Sequence, residues 1–135
     1  MHFEVFRNRR GLASDAGSGI VGFVLVAPLI VAVFICIGQI AMLVADKSVL
    51  NSAAVIGART ASAADATNTD GRNAALRVLN SRGSGFGAAV ISMSQARHQG
   101  MTYISVTVSR NVMIPFLNRE ILITGKARAI DEAYL

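Results

Sequence analysis

The stretch "RRGLASDAGSGIVGFVLVAPLIVAVFICIGQIAMLVADK" (residues 9–47) decides the fold. Arginines lead into thirty residues, Ala16 to Ala45, that carry no charge. About 20 apolar residues suffice to cross the hydrocarbon core of a bilayer, so this run is long enough with room to spare. Sixteen positions between Ile20 and Val44 are Val, Leu, Ile or Phe. At about −0.3 to −0.6 kcal/mol each at a helix centre they favour insertion, and Gly22, Pro28, Gly38 and Gln39 do not reverse the sum. A spanning helix over residues 18–45 is predicted.

Other readings of this stretch fit less well. A cleaved secretory signal has an apolar region of about 7–15 residues ending in a small-x-small site. This run is far longer, and Leu43 stands at the third position before a cut after Ala45. A lipoprotein signal at Cys36 is excluded by Ile35 before it and by its place in mid-run. Arg7, Arg9 and Arg10 precede the span, whereas only Lys47 and then Arg59 follow closely. Positive charge stays in the cytoplasm, which puts the N-terminus inside and the rest in the periplasm or outside the cell.

Composition narrows the function. The 135 residues suffice for an anchor and one small module. The 53% hydrophobic content and mean hydropathy of +0.50 come almost entirely from the first third. A single cysteine, Cys36, allows no intramolecular disulfide and reads as a small apolar filler. The net charge of +5 is scattered over single arginines with few aromatics between them, unlike a nucleic-acid surface. No catalytic constellation, metal cluster or cofactor motif is present. His2 and His98 lack partner acids, and apart from the terminal Asp131–Glu132 pair the carboxylates Asp46, Asp65, Asp70 and Glu120 are dispersed and read as solvated surface or caps. "GSGFGAA" (83–89) lacks the Lys-Ser/Thr of a phosphate loop and reads as a flexible connector.

Beyond the span, helical character is predicted to continue over residues 46–69, giving a rod of roughly 65–70 Å at ~1.5 Å per residue. Ala53, Gly57 and Ala61 recur every fourth residue, as do Ala54, Ala58 and Ser62. Such ridges let helix backbones approach closely. Gly57 is the telling member, since glycine is up to ~1 kcal/mol unfavourable in a helix interior. Residues 70–135 read as a small extracytoplasmic module. A second helix lies in "TDGRNAALRVLNSR" (69–82), capped by Asp70, with Ala75, Leu76 and Leu79 on its apolar side.

The last fifty residues switch to period two. "AVISMSQAR" alternates weakly, "HQG" is a turn, and Ile104, Val106 and Val108 face one way in "MTYISVTVSR". "NVMIPFLN" reads as a loop or edge because Pro115 cannot donate to a ladder. "EILITGKARA" alternates again. The fold class is therefore α+β: a long N-terminal transmembrane helix extending out of the membrane, a second short helix, and an antiparallel meander of about three strands. So small a sheet needs a helical or subunit cover.

Three segments together, "AGSGIVGFVLVAPLI", "VLNSAAVIGARTASA" and "VTVSRNVMIPFL…ILITGKARAI", resemble the TadE-like family, minor pilins or pseudopilins of tight-adherence (Tad/Flp) type IV pili. Val21-Gly22-Phe23, Ala27-Pro28-Leu29 and Ala53-Ala54-Val55-Ile56-Gly57-Ala58-Arg59 occupy the places of that family's motifs. The resemblance implies a non-enzymatic structural component, pilin-like in fold, with no cofactor. Prepilin peptidase would cut after Gly17 and leave Ser18 first. Pro28 would kink the helix, and Ala53, Gly57, Ala58, Arg59 and Ala61 would form a helix-packing block. Its partners would be other pilins, inner-membrane platform proteins, the peptidase and lipid. Gly22 departs from the pattern, since glutamate is usual five residues into the mature chain. That implies a tip, priming or accessory role rather than a shaft subunit. The alternative is a single-pass membrane protein with an unrelated extracytoplasmic binding module.

Overall fold

The computed structural model describes residues 15–115 and 117–132. Its elements run α1 (Asp15–Ser62), α2 (Asn68–Ser81), a short 3-10 turn (Ser84–Phe86), β1 (Val90–His98), β2 (Met101–Ile114) and β3 (Arg119–Ile130). The architecture is α+β: a long apolar N-terminal helix, a second short helix and one three-stranded antiparallel sheet. By its internal contacts the chain divides into Met1–Ile40 and Ala41–Leu135. Most of the expected leader, residues 1–14, lies outside the described residues.

In the first unit α1 is helical from Asp15 and continues on both sides of Pro28. Its side chains from Gly19 onward are exposed but for the half-buried Ala27 and Gln39. Cys36 is among the exposed ones.

In the second unit α1 changes character. Leu50, Ala53, Ala54, Ala58 and Ala61 are buried and join Ala75, Leu79, Phe86, Ile104, Val106, Val108 and Ile123 in one core. Leu50, Leu79, Val106 and Val108 are the largest fully buried side chains, each contributing about 1.5–3 kcal/mol by leaving water. The sheet is thus covered by helices of its own chain.

Helix α1 stops at Ser62, short of the expected bound at residue 69. The alanine-rich stretch after it has helical propensity, but tertiary structure overrides that: the chain turns through residues 63–66 so that α2 can fold back beside α1. Thr67, not Asp70, is the N-cap of α2. Asp70 occupies the third helical position. Its carboxylate accepts from the Thr67 N–H (2.9 Å) and hydroxyl (2.7 Å), while the Asp70 N–H donates to the Thr67 hydroxyl (3.3 Å). This reciprocal pairing is a capping box. The apolar side of α2 is Ala74, Ala75 and Leu79, with Leu76 only half-buried.

The sheet order is β1-β2-β3. His98 pairs with Met101 across a two-residue loop in which Gln99 (φ 49°) and Gly100 (φ 82°) are both left-handed, the geometry that matches strand twist. Along β2, Thr102, Ile104, Val106 and Val108 point to the core. The segment "NVMI" is strand rather than loop: β2 outruns β1, so Asn111–Ile114 pair with β3 alone. The turn begins at Pro115, where the Leu117 N–H reaches the Ile114 carbonyl (3.2 Å) and Asn118 takes a left-handed φ of 44°. The segment expected to be a flexible connector holds Phe86, which is buried in the core.

Candidate functional site

Two surfaces of α1 carry the chemistry this chain offers. The first is its apolar N-terminal portion. Between Gly19 and Ser62 its most apolar window has a mean hydropathy of 3.1, and none of that window is buried within the protein. It is one helix long and apolar enough to cross a membrane. Pro28 has no N–H to give the Val24 carbonyl; elsewhere an α-helix pairs its own interior backbone groups, as lipid demands. A Cβ added at Gly22 or Gly38 would meet nothing within 4 Å, so neither glycine serves a close approach inside the chain. The backbones of Gly17 and Ser18, the expected processing pair, lie in the first turns of α1, and Pro28 lies within the helix.

The second surface is a seam of small residues. Ala53, Ala54, Gly57, Ala58 and Ala61 are brought together and buried, whereas Arg59 is exposed in the last turn of the helix, where a cation complements the helix dipole. Gly57 and Gly71 meet across α1 and α2. A Cβ on Gly71 would lie 2.6 Å from the Gly57 carbonyl oxygen and 2.6 Å from the Ala61 methyl carbon. A Cβ on Gly57 would lie 3.1 Å from both Ala75 Cβ and the Gly71 carbonyl oxygen. On the sheet side Gly125 faces the α1 backbone at Leu50 and Asn51, and its Cβ would fall 2.6 Å from the Leu50 carbonyl oxygen. At such spacing backbone touches backbone, and many small dispersion contacts replace a few large ones. The seam is packed closely by this chain's own α2 and sheet.

Charged groups fasten the same region. Arg110 on β2 reaches Asp46 on α1 (3.4 Å) and lies over the Phe86 ring, 4.7 Å from its centroid. One guanidinium thus ties α1, β2 and the 3-10 turn. Asp131 is buried and accepts a hydrogen bond from Gln95 Nε2 (2.7 Å), and its N–H donates to the Thr102 carbonyl (2.9 Å). Hydrogen bonds from Thr67, first from its side chain and then its backbone, hold the Asp70 carboxyl below the ordinary carboxylate range, with Arg77 assisting.

Sequence reasoning missed Gly71, Gly125, Asp46 and Arg110. Gly125 had a signal, because a glycine inside an alternating strand marks a bulge or a close backbone approach. Gly71 stood at the start of a predicted helix with nothing local to mark its partner, and the Asp46–Arg110 pair joins residues too far apart for local pattern to connect. Among the described residues no three His, Cys, Asp or Glu side chains group as a metal site would require. The chain matches no protein-family model, no curated protein and no solved structure.

Proposed function

We propose that this chain is a non-enzymatic minor pilin or pseudopilin-like component of a Tad/Flp-type pilus assembly or secretion system, acting in pilus initiation, at the tip or in assembly. The observation that carries the reading is the change of role along α1. The helix is apolar and exposed through Val44, then continues as the buried small-residue seam that holds a small α+β module. A subunit of this kind can rest in lipid by one part of a helix and present its module by the other. In this reading the N-terminus is cytoplasmic and the module periplasmic or extracellular. Prepilin peptidase cleaves between Gly17 and Ser18, and the partners are other pilins and the inner-membrane platform proteins. Gly22 supports an accessory place over a repeating shaft place. A carboxylate there would be expensive in lipid unless paired, and this chain has none to offer a neighbour's amine.

The test is deletion in the source organism, with electron microscopy of the cell surface and mass spectrometry of the membrane-extracted protein. Loss of pili, restored by the wild-type chain but not by Gly17→Leu, with the mature chain starting at Ser18, supports the assignment. Normal piliation in the deletion strain overturns it.

A further inference from the structure

The sheet has two faces of opposite chemistry. Ile104, Val106, Val108 and Ile123 belong to the core, so the alternate positions of each strand point away from it. Register sets these outward positions in rows. Ser92, Thr107 and Lys126 form one row and Ser94, Ser105 and Arg128 the next, with Val90, Ser109 and Thr124 on the other side of the first. Six of these nine residues carry hydroxyls, two are cations and none is an acid. Beyond Thr124 the face changes, to Leu122 with Asn111 and then Glu120 with Met113, and Glu132 comes only after the end of β3. Strands lie about 4.8 Å apart and rows roughly 7 Å apart, so the nine side chains make a small polar array on a sheet surface.

Arg128 is set in place without being neutralised. Its Nε donates to the Ser105 hydroxyl (3.2 Å), and its guanidinium lies 5.9 Å from the centroid of the Tyr103 ring. The ion pair found among the described residues joins Arg110 to Asp46, on the core side of the sheet. The terminal nitrogens of Arg128 and the Lys126 ammonium are thus left for a partner, and a held guanidinium fork loses little freedom in gripping a carboxylate. Among the described residues the hydroxyls of Ser92, Ser94, Thr107, Ser109 and Thr124 are likewise not engaged by other protein groups.

We propose that this outward face binds an anionic polysaccharide of the uronic-acid type, laid across the strands with carboxylates at Arg128 and Lys126 and sugar hydroxyls at Ser92, Ser94 and Thr107. Charge complementarity selects an anion. The hydroxyl array selects a glycan among anions, because Ser and Thr hydroxyls both donate and accept, as sugar hydroxyls do. Bases would need aromatic platforms, and Tyr103, the aromatic beside the patch, already carries Arg128. Acyl chains would need an apolar surface, and Val90 is the one apolar member of the nine. The inference concerns the unit Ala41–Leu135 alone, and it depends neither on the membrane span nor on pilus assembly.

The test uses the full chain in non-ionic detergent at near-physiological salt, titrated into fluorescently labelled polygalacturonate oligomers and followed by anisotropy. Lys126→Gln with Arg128→Gln should weaken binding about tenfold, as expected when two exposed charged contacts are lost. Ser105→Ala with Thr107→Val should weaken it several-fold although no charge changes. Arg72→Gln with Arg82→Gln removes the same charge from exposed positions at α2 and should leave binding unchanged. An unaltered melting midpoint checks the fold of each variant. With the wild-type chain, the methyl-esterified oligomer and an oligodeoxythymidylate of equal charge should both bind several-fold more weakly than polygalacturonate. Absence of saturable polygalacturonate binding to the wild-type chain overturns the proposal. Equal loss in the Arg72 and Arg82 variant reduces the contact to net charge and overturns it as well. Tighter binding of the oligodeoxythymidylate, abolished in the Lys126 and Arg128 variant, assigns the face to nucleic acid and overturns the glycan assignment.

Discussion

A Cβ at Gly125 would fall 2.6 Å from the Leu50 carbonyl oxygen, and one at Gly71 equally close to the Gly57 carbonyl oxygen. Backbone cannot rotate aside as a side chain can, so Gly125→Ala and Gly71→Ala each force an element to move. Such overpacking costs about 1–3 kcal/mol, and a lowered midpoint in thermal unfolding of the detergent-solubilised protein is the expected readout. Gly57→Ala should be milder, since its nearest contacts are 3.1 Å away. Gly57→Leu should open the α1–α2 seam while leaving membrane insertion unchanged, which protease sensitivity and membrane fractionation would report separately. Gly22→Ala is the control: its methyl meets nothing within 4 Å, and the same melting experiment should show no loss. Full stability of Gly125→Ala would contradict the close approach.

Helix α2 depends on its first turn. The folded-state pKa of Asp70 lies below the ordinary carboxylate value because Thr67 bonds its ionised form. A depressed carboxylate contributes stability that is fully present above its unfolded pKa and is lost as pH falls through the folded one. Wild-type protein should therefore lose α2 stability on acidification, while Asp70→Asn should lack that component. The two melting curves should converge at acid pH and separate toward neutrality, and parallel curves would count against the capping box. Thr67→Ala removes the N-cap oxygen and should destabilise by about 0.5–2 kcal/mol at neutral pH. The helix itself was legible from Ala75 and Leu79 at helical spacing. Its cap was not, because Thr67, Thr69 and Asp70 all favour a helix start and only the hydrogen bonds choose among them. The α1 terminus was misjudged for a related reason: propensity cannot see that Gly57 has a partner in Gly71.

For the chain as a whole, the apolar run is the dominant free-energy feature. Its insertion sum of several kcal/mol should survive one arginine, which adds about 2.5–3.5 kcal/mol at the helix centre, but not two. Val31→Arg alone should remain in carbonate-washed membranes, whereas Val31→Arg with Phe34→Arg should be largely lost from them. Retention of the double variant would argue against α1 as a spanning helix. The order of elements and the strand faces of Ile104, Val106 and Val108 were readable because period two and a long uncharged run are strong local signals. The fastening of the sheet to its own α1 was not readable. It depends on Gly125, Arg110 and Asp46, which meet only after the chain has folded back across 64 positions of sequence between the two charges.

The seat of Gly125 on Leu50 has a mechanical consequence. The helix that holds the module also runs on, unbroken, into the apolar segment. Any tension drawn along that helix arrives at the module as shear across a backbone-to-backbone notch, braced by the Arg110 tie, and not as a peeling force on one strand. Shear loads many contacts at once, so the module should travel with a pulled helix before it unravels.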